Sequence, residues 1–229
     1  MTDQLPLPFL PRPDFATLPF IPHPGAADAQ AWLTRADWPR LALWGDAGAG
    51  KTHLLHRWAA GRATVITGPE LAWPAVPGPL AIDDADHAPI LPLLHTLNAA
   101  AEAGWPVLLT ANQPPGRWPV VLPDLQSRLL ATIAVRLLAP DDEARARLFH
   151  RLLDDRQLLV SPALQAWLLT RLPRDPAALR DAAARLDHVA FAAQRAPTRA
   201  MAAAALAPLL DDTSTDDAPG GSHVGAHSG

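Results

Sequence analysis

The chain has 229 residues, of which 49% are apolar, so it can bury the core of one large domain or two small ones. It contains no cysteine, which excludes disulfides and thiol catalysis, and its net charge of −4 gives no basic footprint for tight duplex binding. No apolar run reaches the roughly 18 residues of a membrane span, and no basic-then-apolar leader is present. We therefore expect a cytoplasmic protein with no membrane partner.

Proline interrupts the N-terminal residues repeatedly, which predicts an extended arm over residues 1–24. An apolar helix is predicted from Asp28 to Leu33, and buried strands then alternate with helices. The strands are predicted at about 40–44, 63–67, 79–83, 106–111 and 132–137, and the helices at 51–60, 88–103 and 124–130. This alternation predicts an α/β domain over residues 25–139, in which helices cover both faces of a parallel sheet.

The pattern changes to helices alone after Pro140. They are predicted at about 141–155, 161–171, 177–194 and 198–210, which gives a small all-α domain over residues 140–210. Residues 211–229 are rich in Ser, Thr, Asp and Gly, and this composition predicts a disordered tail.

The loop between the first predicted strand and the helix after it carries the most specific motif, G-x-x-x-x-G-K-[ST]. Its residues are Gly45, Asp46, Ala47, Gly48, Ala49, Gly50, Lys51 and Thr52, followed by His53. In such a loop, backbone N–H groups surround the phosphates, the lysine reaches the β- and γ-phosphates, and the threonine hydroxyl binds Mg²⁺. Lys51 is the only lysine among 19 Lys and Arg residues, and a planar guanidinium cannot replace its compact ammonium in this turn. The sequence therefore predicts nucleotide binding.

Polar side chains end two further predicted strands. Asp83 and Asp84 end the strand at 79–83, where Asp83 can hold Mg²⁺ and Asp84 can orient an attacking water. Asn112 follows the strand at 106–111 and can hydrogen-bond a γ-phosphate or the lytic water. Without the phosphate-binding loop, the simpler interpretations are an acidic turn and a turn-forming asparagine.

Together these features resemble the AAA+ ATPases and, more closely, their DnaA family. The similar segments are Gly50-Lys51-Thr52-His53-Leu54-Leu55, Ile82-Asp83-Asp84, Thr110-Ala111-Asn112-Gln113-Pro114-Pro115 and Leu122-Pro123-Asp124-Leu125-Gln126-Ser127-Arg128-Leu129. The resemblance covers residues from about 14 to 186. It implies a five-stranded parallel P-loop sheet followed by a helical lid, with ADP or ATP and Mg²⁺ as the bound cofactors.

The resemblance also implies catalytic roles. Arg128 matches the arginine finger, which acts in trans on a neighbour's nucleotide and is worth about 10³–10⁵ in rate. Asp84 matches the catalytic acid, and Asn112 matches the first sensor. Arg174 occupies the place of the second sensor arginine in the lid.

Two of the implied site assignments have alternatives. Pro176 departs from the family pattern near the second sensor, so Arg180 is the alternative to Arg174. Phe20 and Ile21, ahead of the first helix, either line an adenine pocket or belong to the core.

The N-terminal residues Gln4-Leu5-Pro6-Leu7-Pro8-Phe9 are similar to the sliding-clamp-binding hexapeptide of the Hda regulators, a branch of the DnaA family. In such a peptide, glutamine makes polar contacts while leucine and phenylalanine fill an apolar groove. We therefore expect clamp contacts from Gln4, Leu5, Leu7, Pro8 and Phe9. The alternative is an arm that packs on the body of the protein.

The resemblance implies a regulator associated with the replisome and the nucleoid. Its partners are the DNA polymerase III β sliding clamp and DnaA, and it meets DNA only through the clamp. Because no helix-turn-helix domain follows the lid, we do not expect it to bind origin DNA itself. Two alternatives remain open: a self-contained AAA+ ATPase of the helicase-loader type, and a DnaA-binding scaffold without hydrolysis.

Overall fold

The computed structural model describes residues 20–35, 37–74 and 76–210. The chain divides into two compact units, the first ending at Asp141 and the second beginning at Asp142. The expected clamp-binding residues 4–9 and the expected tail, residues 211–229, lie outside the described residues. Across the described ranges, no helix combines the length and the apolar character needed to cross a membrane.

A five-stranded parallel sheet flanked by helices forms the first unit. Its strands are β1 (Arg40–Trp44), β2 (Thr64–Thr67), β3 (Leu80–Asp83), β4 (Val107–Ala111) and β5 (Ile133–Arg136). Its α-helices are α1 (Ala27–Thr34), α2 (Lys51–Ala59), α3 (Ile90–Ala103) and α4 (Pro123–Leu130). The strand order is β2-β3-β4-β1-β5, and every pairing is parallel. The predicted α/β fold class is confirmed.

Central strands of this sheet are buried on both faces, as their largely apolar sequences predicted. Every residue of β3 and β4 is buried, whereas the edge strands β2 and β5 are partly exposed. Ala42 faces a core that includes Leu97 of α3 and Leu125 of α4. Its neighbour Leu43 faces the opposite core, which includes Leu55 of α2. These two hydrophobic cores, one on each face of the sheet, hold the strand ends in fixed register.

The last residues of the expected N-terminal arm pack against this unit. His23 is only 8% exposed, and Phe20 packs against the core on the α2 side of the sheet. A 3₁₀ turn follows at Pro24–Ala26 and leads into α1. Phe20 and His23, at the end of the expected arm, therefore pack against the first unit.

Four helices form the described part of the second unit. They are α5 (Asp142–Asp154), α6 (Pro162–Leu169), α7 (Pro176–Ala193) and α8 (Arg199–Leu210), and each was predicted to within two residues at either end. Their apolar faces share one core, which includes Phe149, Leu168, Leu186 and Leu206. Proline at the first turn of α6 and α7 follows a capping side chain in both cases, which fixes where these helices begin.

Candidate functional site

The loop between β1 and α2 depends on glycine for its shape. Gly45, Gly48 and Gly50 have φ values of 152°, 76° and 98°, which L side chains rarely adopt. A Cβ on Gly45 would lie 2.1 Å from the carbonyl oxygen of Leu137, so no other residue fits there. Gly50 caps α2 without a side-chain acceptor, so it leaves the first N–H groups of the helix open to an anion.

Lys51 connects this loop to the end of β4. Its Nζ donates hydrogen bonds to the carbonyl oxygens of Gly45 (2.7 Å) and Asp46 (3.0 Å) and to Oδ1 of Asn112 (3.3 Å). The side chain is only 7% exposed, and burial lowers its pKa, although the nearby carboxylates led by Asp84 oppose this shift. Three oxygen atoms thus hold the buried ammonium inside the loop. A phosphate bound by the loop would lie beside this positive charge.

Oxygen ligands converge at the end of β3. The hydroxyl of Thr52 donates to Oδ1 of Asp83 over 3.1 Å, and the hydroxyl of Thr110 donates to the same oxygen atom. Asp83 is 8% exposed and Thr110 is fully buried, so this carboxylate is held in one orientation. A hydroxyl and a carboxylate in contact are two of the hard oxygen ligands that Mg²⁺ accepts.

The geometry fits Mg²⁺ that is held in part by phosphate. Within the described ranges, no group of three or more His, Cys, Asp or Glu side chains is arranged to hold a metal ion. Mg²⁺ in nucleotide sites commonly keeps water and takes one or two protein ligands together with substrate phosphates. Thr52 and Asp83 would supply such a pair beside the loop, whereas a dedicated protein cage would require more carboxylates.

Asp84 lies in a turn of unusual backbone geometry. Its φ of 52° is left-handed, and its backbone N–H donates to the Thr110 hydroxyl over 2.9 Å. Burial raises the pKa of its carboxyl group, as do the charges of Asp83 and Asp86, while Lys51 opposes the shift. Such a residue has the environment of a catalytic acid or base.

Gly68, which directly follows β2, allows this turn to approach closely. A Cβ at Gly68 would lie 2.2 Å from the carbonyl oxygen of Asp84, so any side chain there would displace the turn. Asn112 is fixed as well, because its backbone N–H donates to Oδ2 of Asp86 over 3.0 Å. The sequence interpretation had assigned no role to Thr110, Gly68 or Asp86. Of these, Thr110 carried a visible signal, since it is a hydroxyl within an otherwise apolar strand.

Phe20 lies beside the end of the loop. Its ring meets the His53 ring edge-on with 5.4 Å between centroids, and it lies 3.3 Å from the Cβ position of Gly50. Phe20 thus contributes to the core and borders the loop, so the two roles considered for it are compatible. Ile21 is half-buried.

Arg128 is separate from these groups. The loop, Asp83 and Asn112 follow the carboxyl ends of parallel strands, whereas Arg128 is in the last turn of α4, just before β5 begins. It lines a pocket with Arg40, the first residue of β1. Arg128 therefore lies near the amino-terminal ends of the strands, whereas the loop follows their carboxyl ends. The length of β1 therefore separates Arg128 from the loop of its own chain.

Arg174 and Arg180 belong to the second unit. Arg174 precedes the capping residue Asp175 and therefore lies outside α7, as the helix predicted at 177–194 implied. The Asp175 side chain accepts from the N–H of Ala177, which starts the helix later. The guanidinium of Arg174 donates to Oδ1 of Asp142 over 2.7 Å, and both side chains are exposed. Arg180 is within α7, and burial lowers its pKa.

Comparison with known proteins identifies the fold. No protein-family model matches the chain, and no curated protein matches its sequence. Domain III of the Thermotoga maritima replication initiation protein DnaA is similar in structure, with a TM-score of 0.73, 18% identity, and coverage of 87% of this chain and 98% of that one. AMPPCP-bound DnaA from Aquifex aeolicus has a TM-score of 0.63 and 18% identity, with coverage of 76% of this chain and 65% of that one.

The Thermotoga maritima RuvB Holliday junction branch migration motor is also similar, with a TM-score of 0.60, 17% identity, and coverage of 81% of this chain and 67% of that one. At identities this low, the similarity establishes the fold alone. The fold is that of the AAA+ domains of DnaA and RuvB.

Proposed function

We propose that this chain is a regulator of the Hda type. It binds ADP or ATP with Mg²⁺ at the loop formed by residues 45–52, and it attaches to the DNA polymerase III β sliding clamp through residues 4–9. It then stimulates hydrolysis of the ATP bound to DnaA by supplying Arg128, which limits re-initiation of replication. DNA is contacted only through the clamp.

The nucleotide site is supported by the convergence of four side chains from three elements. Lys51 contacts Asn112, and Thr52 contacts Asp83, so the β1 loop, β3 and β4 meet at one place. These groups offer an ammonium for phosphate, oxygen ligands for Mg²⁺ and an amide for the terminal phosphate. The similar AMPPCP-bound DnaA makes an adenine nucleotide the first ligand to test.

The position of Arg128 in the last turn of α4, away from the loop of its own chain, supports action in trans. This position is the main support for the proposed regulatory role. The half-buried side chain of Arg128 lies near the amino-terminal ends of the strands, away from the loop at their carboxyl ends. It makes no ion pair among the described residues. A guanidinium placed away from its own site is available to a nucleotide held by another molecule, and such fingers act by stabilising transferring phosphate. In this proposal Arg174 is the second sensor of the chain's own site, with Arg180 as the alternative.

The decisive experiment follows hydrolysis of radiolabelled ATP pre-bound to DnaA. The reaction is run alone, with this protein, and with this protein together with the clamp loaded on DNA. We expect marked acceleration only in the complete mixture. An unchanged rate in the complete mixture would reject the regulatory role and favour a scaffold.

A second candidate, a self-contained ATPase, is favoured by Asp84. Its turn is held by the hydrogen bond to Thr110 and is accommodated by Gly68. Its carboxyl group has a raised pKa and lies near Lys51, as is expected of a catalytic acid that acts on a nucleotide bound by the same chain. Steady-state hydrolysis by the isolated protein separates the two candidates. Sustained turnover that is lost in Asp84→Asn supports the self-contained enzyme, whereas slow turnover that Asp84→Asn leaves unchanged supports the regulator.

A further inference from the structure

Arg128 is not the only arginine in its pocket. The open pocket, about 340 Å³ in volume, is lined by Arg40, Asp124, Ser127, Arg128 and Ala131. Arg40 opens β1, which is 88 residues earlier in the chain, and the sheet brings it beside the last turn of α4. Two guanidiniums from separate elements therefore face one space.

The electrostatics of this pair are unfavourable in the isolated chain. Burial lowers the pKa of Arg40, and the positive charge of Arg128 lowers it further. Nε of Arg40 is buried and has no hydrogen-bond partner among the described residues. Asp124 lines the same pocket but forms no ion pair with either arginine in the described part of the chain. An unpaired buried donor and two neighbouring positive charges are both unfavourable in the isolated chain.

An anion with several oxygen atoms would relieve the repulsion between the two guanidiniums. Two guanidinium forks can each donate to a phosphate group, and the Ser127 hydroxyl lines the same space. A compact phosphate suits this pocket better than a duplex does, because duplex binding uses an extended basic stripe and the whole chain has a net charge of −4.

We propose that Arg40 and Arg128 act together on one phosphate group, the terminal phosphate of the nucleoside triphosphate held by the protein partner. This inference rests on the proposed function, because it adds a second guanidinium to the site that Arg128 serves. Arg128 contacts the transferring phosphoryl group from the exposed side, and Arg40 contacts it from the start of β1. No bond is formed or broken on either arginine; both neutralise charge that develops in the transition state.

The first test measures single-turnover hydrolysis of ATP bound to DnaA against increasing concentrations of this protein, with clamp and DNA present. Arg40→Ala, and Arg40→Gln as a milder change of shape, should lower the plateau rate by about 100-fold and leave the half-saturating concentration nearly unchanged. Arg62→Ala is the matched control, because it removes an exposed arginine from the same unit outside the pocket.

A second measurement separates phosphate contact from a structural role. The affinity of this protein for DnaA loaded with ADP is compared with its affinity after aluminium fluoride is added as a mimic of the transferring phosphate. We expect fluoride to tighten binding of the wild type and of Arg62→Ala, and to have little effect on the Arg40 variants. A structural defect at Arg40 would instead weaken both complexes equally, and that result would overturn the inference.

The outcomes distinguish this inference from the proposed function. If Arg128→Ala is inactive and both Arg40 variants stimulate normally, the two-arginine site is rejected and the regulator remains. If Arg128→Ala stimulates normally, the proposed function fails and the inference with it. If the Arg40 variants lose clamp-independent DNA affinity and keep the full plateau rate, the pocket serves nucleic-acid phosphates and the inference is wrong.

Discussion

The hydroxyl of Thr110 donates a hydrogen bond to Oδ1 of Asp83 from the end of the neighbouring strand. The same hydroxyl oxygen accepts from the backbone N–H of Asp84 over 2.9 Å, so one buried group orients both acidic residues. Because Asp83 also accepts from Thr52, the Mg²⁺ ligands expected at this site depend on a residue that would not itself bind the ion. Thr110 is therefore a positioning residue.

Replacing Thr110 by valine preserves the shape of the side chain and removes the hydroxyl. We expect Thr110→Val to lower the free energy of unfolding by about 1–3 kcal/mol, because two buried partners lose a hydrogen bond. It should also weaken Mg²⁺-dependent ATP binding in calorimetry. Thr110→Ser is the control, since it retains the hydroxyl and should keep that affinity. Wild-type affinity in the valine variant would show that Asp83 is oriented without Thr110.

Removal of Lys51 should abolish tight nucleotide binding. Lys51→Ala removes the only lysine of the chain, and we expect ADP and ATP affinities to fall by about 30- to 1000-fold in calorimetry. Lys51→Arg should also bind poorly, because the turn does not accommodate a planar guanidinium. Arg57→Ala is the matched control, as it removes a positive charge from an exposed position on the same helix. Retained affinity in Lys51→Ala would refute the phosphate-binding assignment.

The raised pKa of Asp84 predicts that Asp84→Asn stabilises the protein in a pH-dependent way. The pKa of Asp84 in the folded state is raised above its ordinary value of 3.8, so the ionised form costs folding free energy above the folded pKa. Below the ordinary value, the carboxyl group is neutral in both states and this cost is absent. Asp84→Asn should therefore raise Tm by about 1–2 °C at pH 7, and the gain should shrink as the pH falls toward 4. A gain that is constant with pH would not arise from this carboxylate.

Local patterns in the sequence predicted most of the fold. Alternating apolar strands and helices give the order of elements directly, and the glycines around Lys51 mark the loop because their spacing is a local requirement. The site residues that were missed depend on tertiary contacts. Gly68 has ordinary backbone angles and matters only because the Asp84 carbonyl approaches it, and Arg40 gains its neighbour Arg128 only when β1 and α4 are packed.

The start of α7 also has a local signal in the sequence. Asp175 followed by Pro176 is a typical helix start, with a capping side chain and a proline at the first helical position. Such a start places Arg174 before the helix. In contrast, the sequence gives no clear indication of the left-handed backbone of Asp84, because aspartate adopts this conformation only occasionally.

Deletion of residues 1–9 should remove affinity for the sliding clamp and leave nucleotide binding unchanged. The predicted contacts are Gln4, Leu5, Leu7, Pro8 and Phe9, all of which lie outside the described residues. Affinity for immobilised clamp is measured by biolayer interferometry for the wild type, the deletion and Gln4→Ala. Because the point variant removes only the polar contact, it should show an intermediate loss. Equal clamp binding by the deletion would show that this peptide is inert.

Arg128→Ala should separate regulation from every other property of the protein. Its guanidinium makes no ion pair among the described residues, and its backbone carbonyl keeps the 2.9 Å hydrogen bond from the Thr132 hydroxyl whatever the side chain. We therefore expect normal folding, ADP affinity and clamp affinity in the variant. The stimulated hydrolysis of ATP on DnaA should fall by about 10³- to 10⁵-fold, because a finger acts in the transition state.

Substituting lysine at the same position tests the geometry of the contact. Arg128→Lys keeps the charge, but a single ammonium cannot span two phosphate oxygens as a guanidinium does, so stimulation should remain close to that of the alanine variant. Arg62→Ala, an exposed arginine of the same unit, should stimulate at the wild-type rate. Full stimulation by Arg128→Ala would exclude an arginine finger at this position, and a scaffold that assembles partners without promoting hydrolysis would then be the better account of the chain.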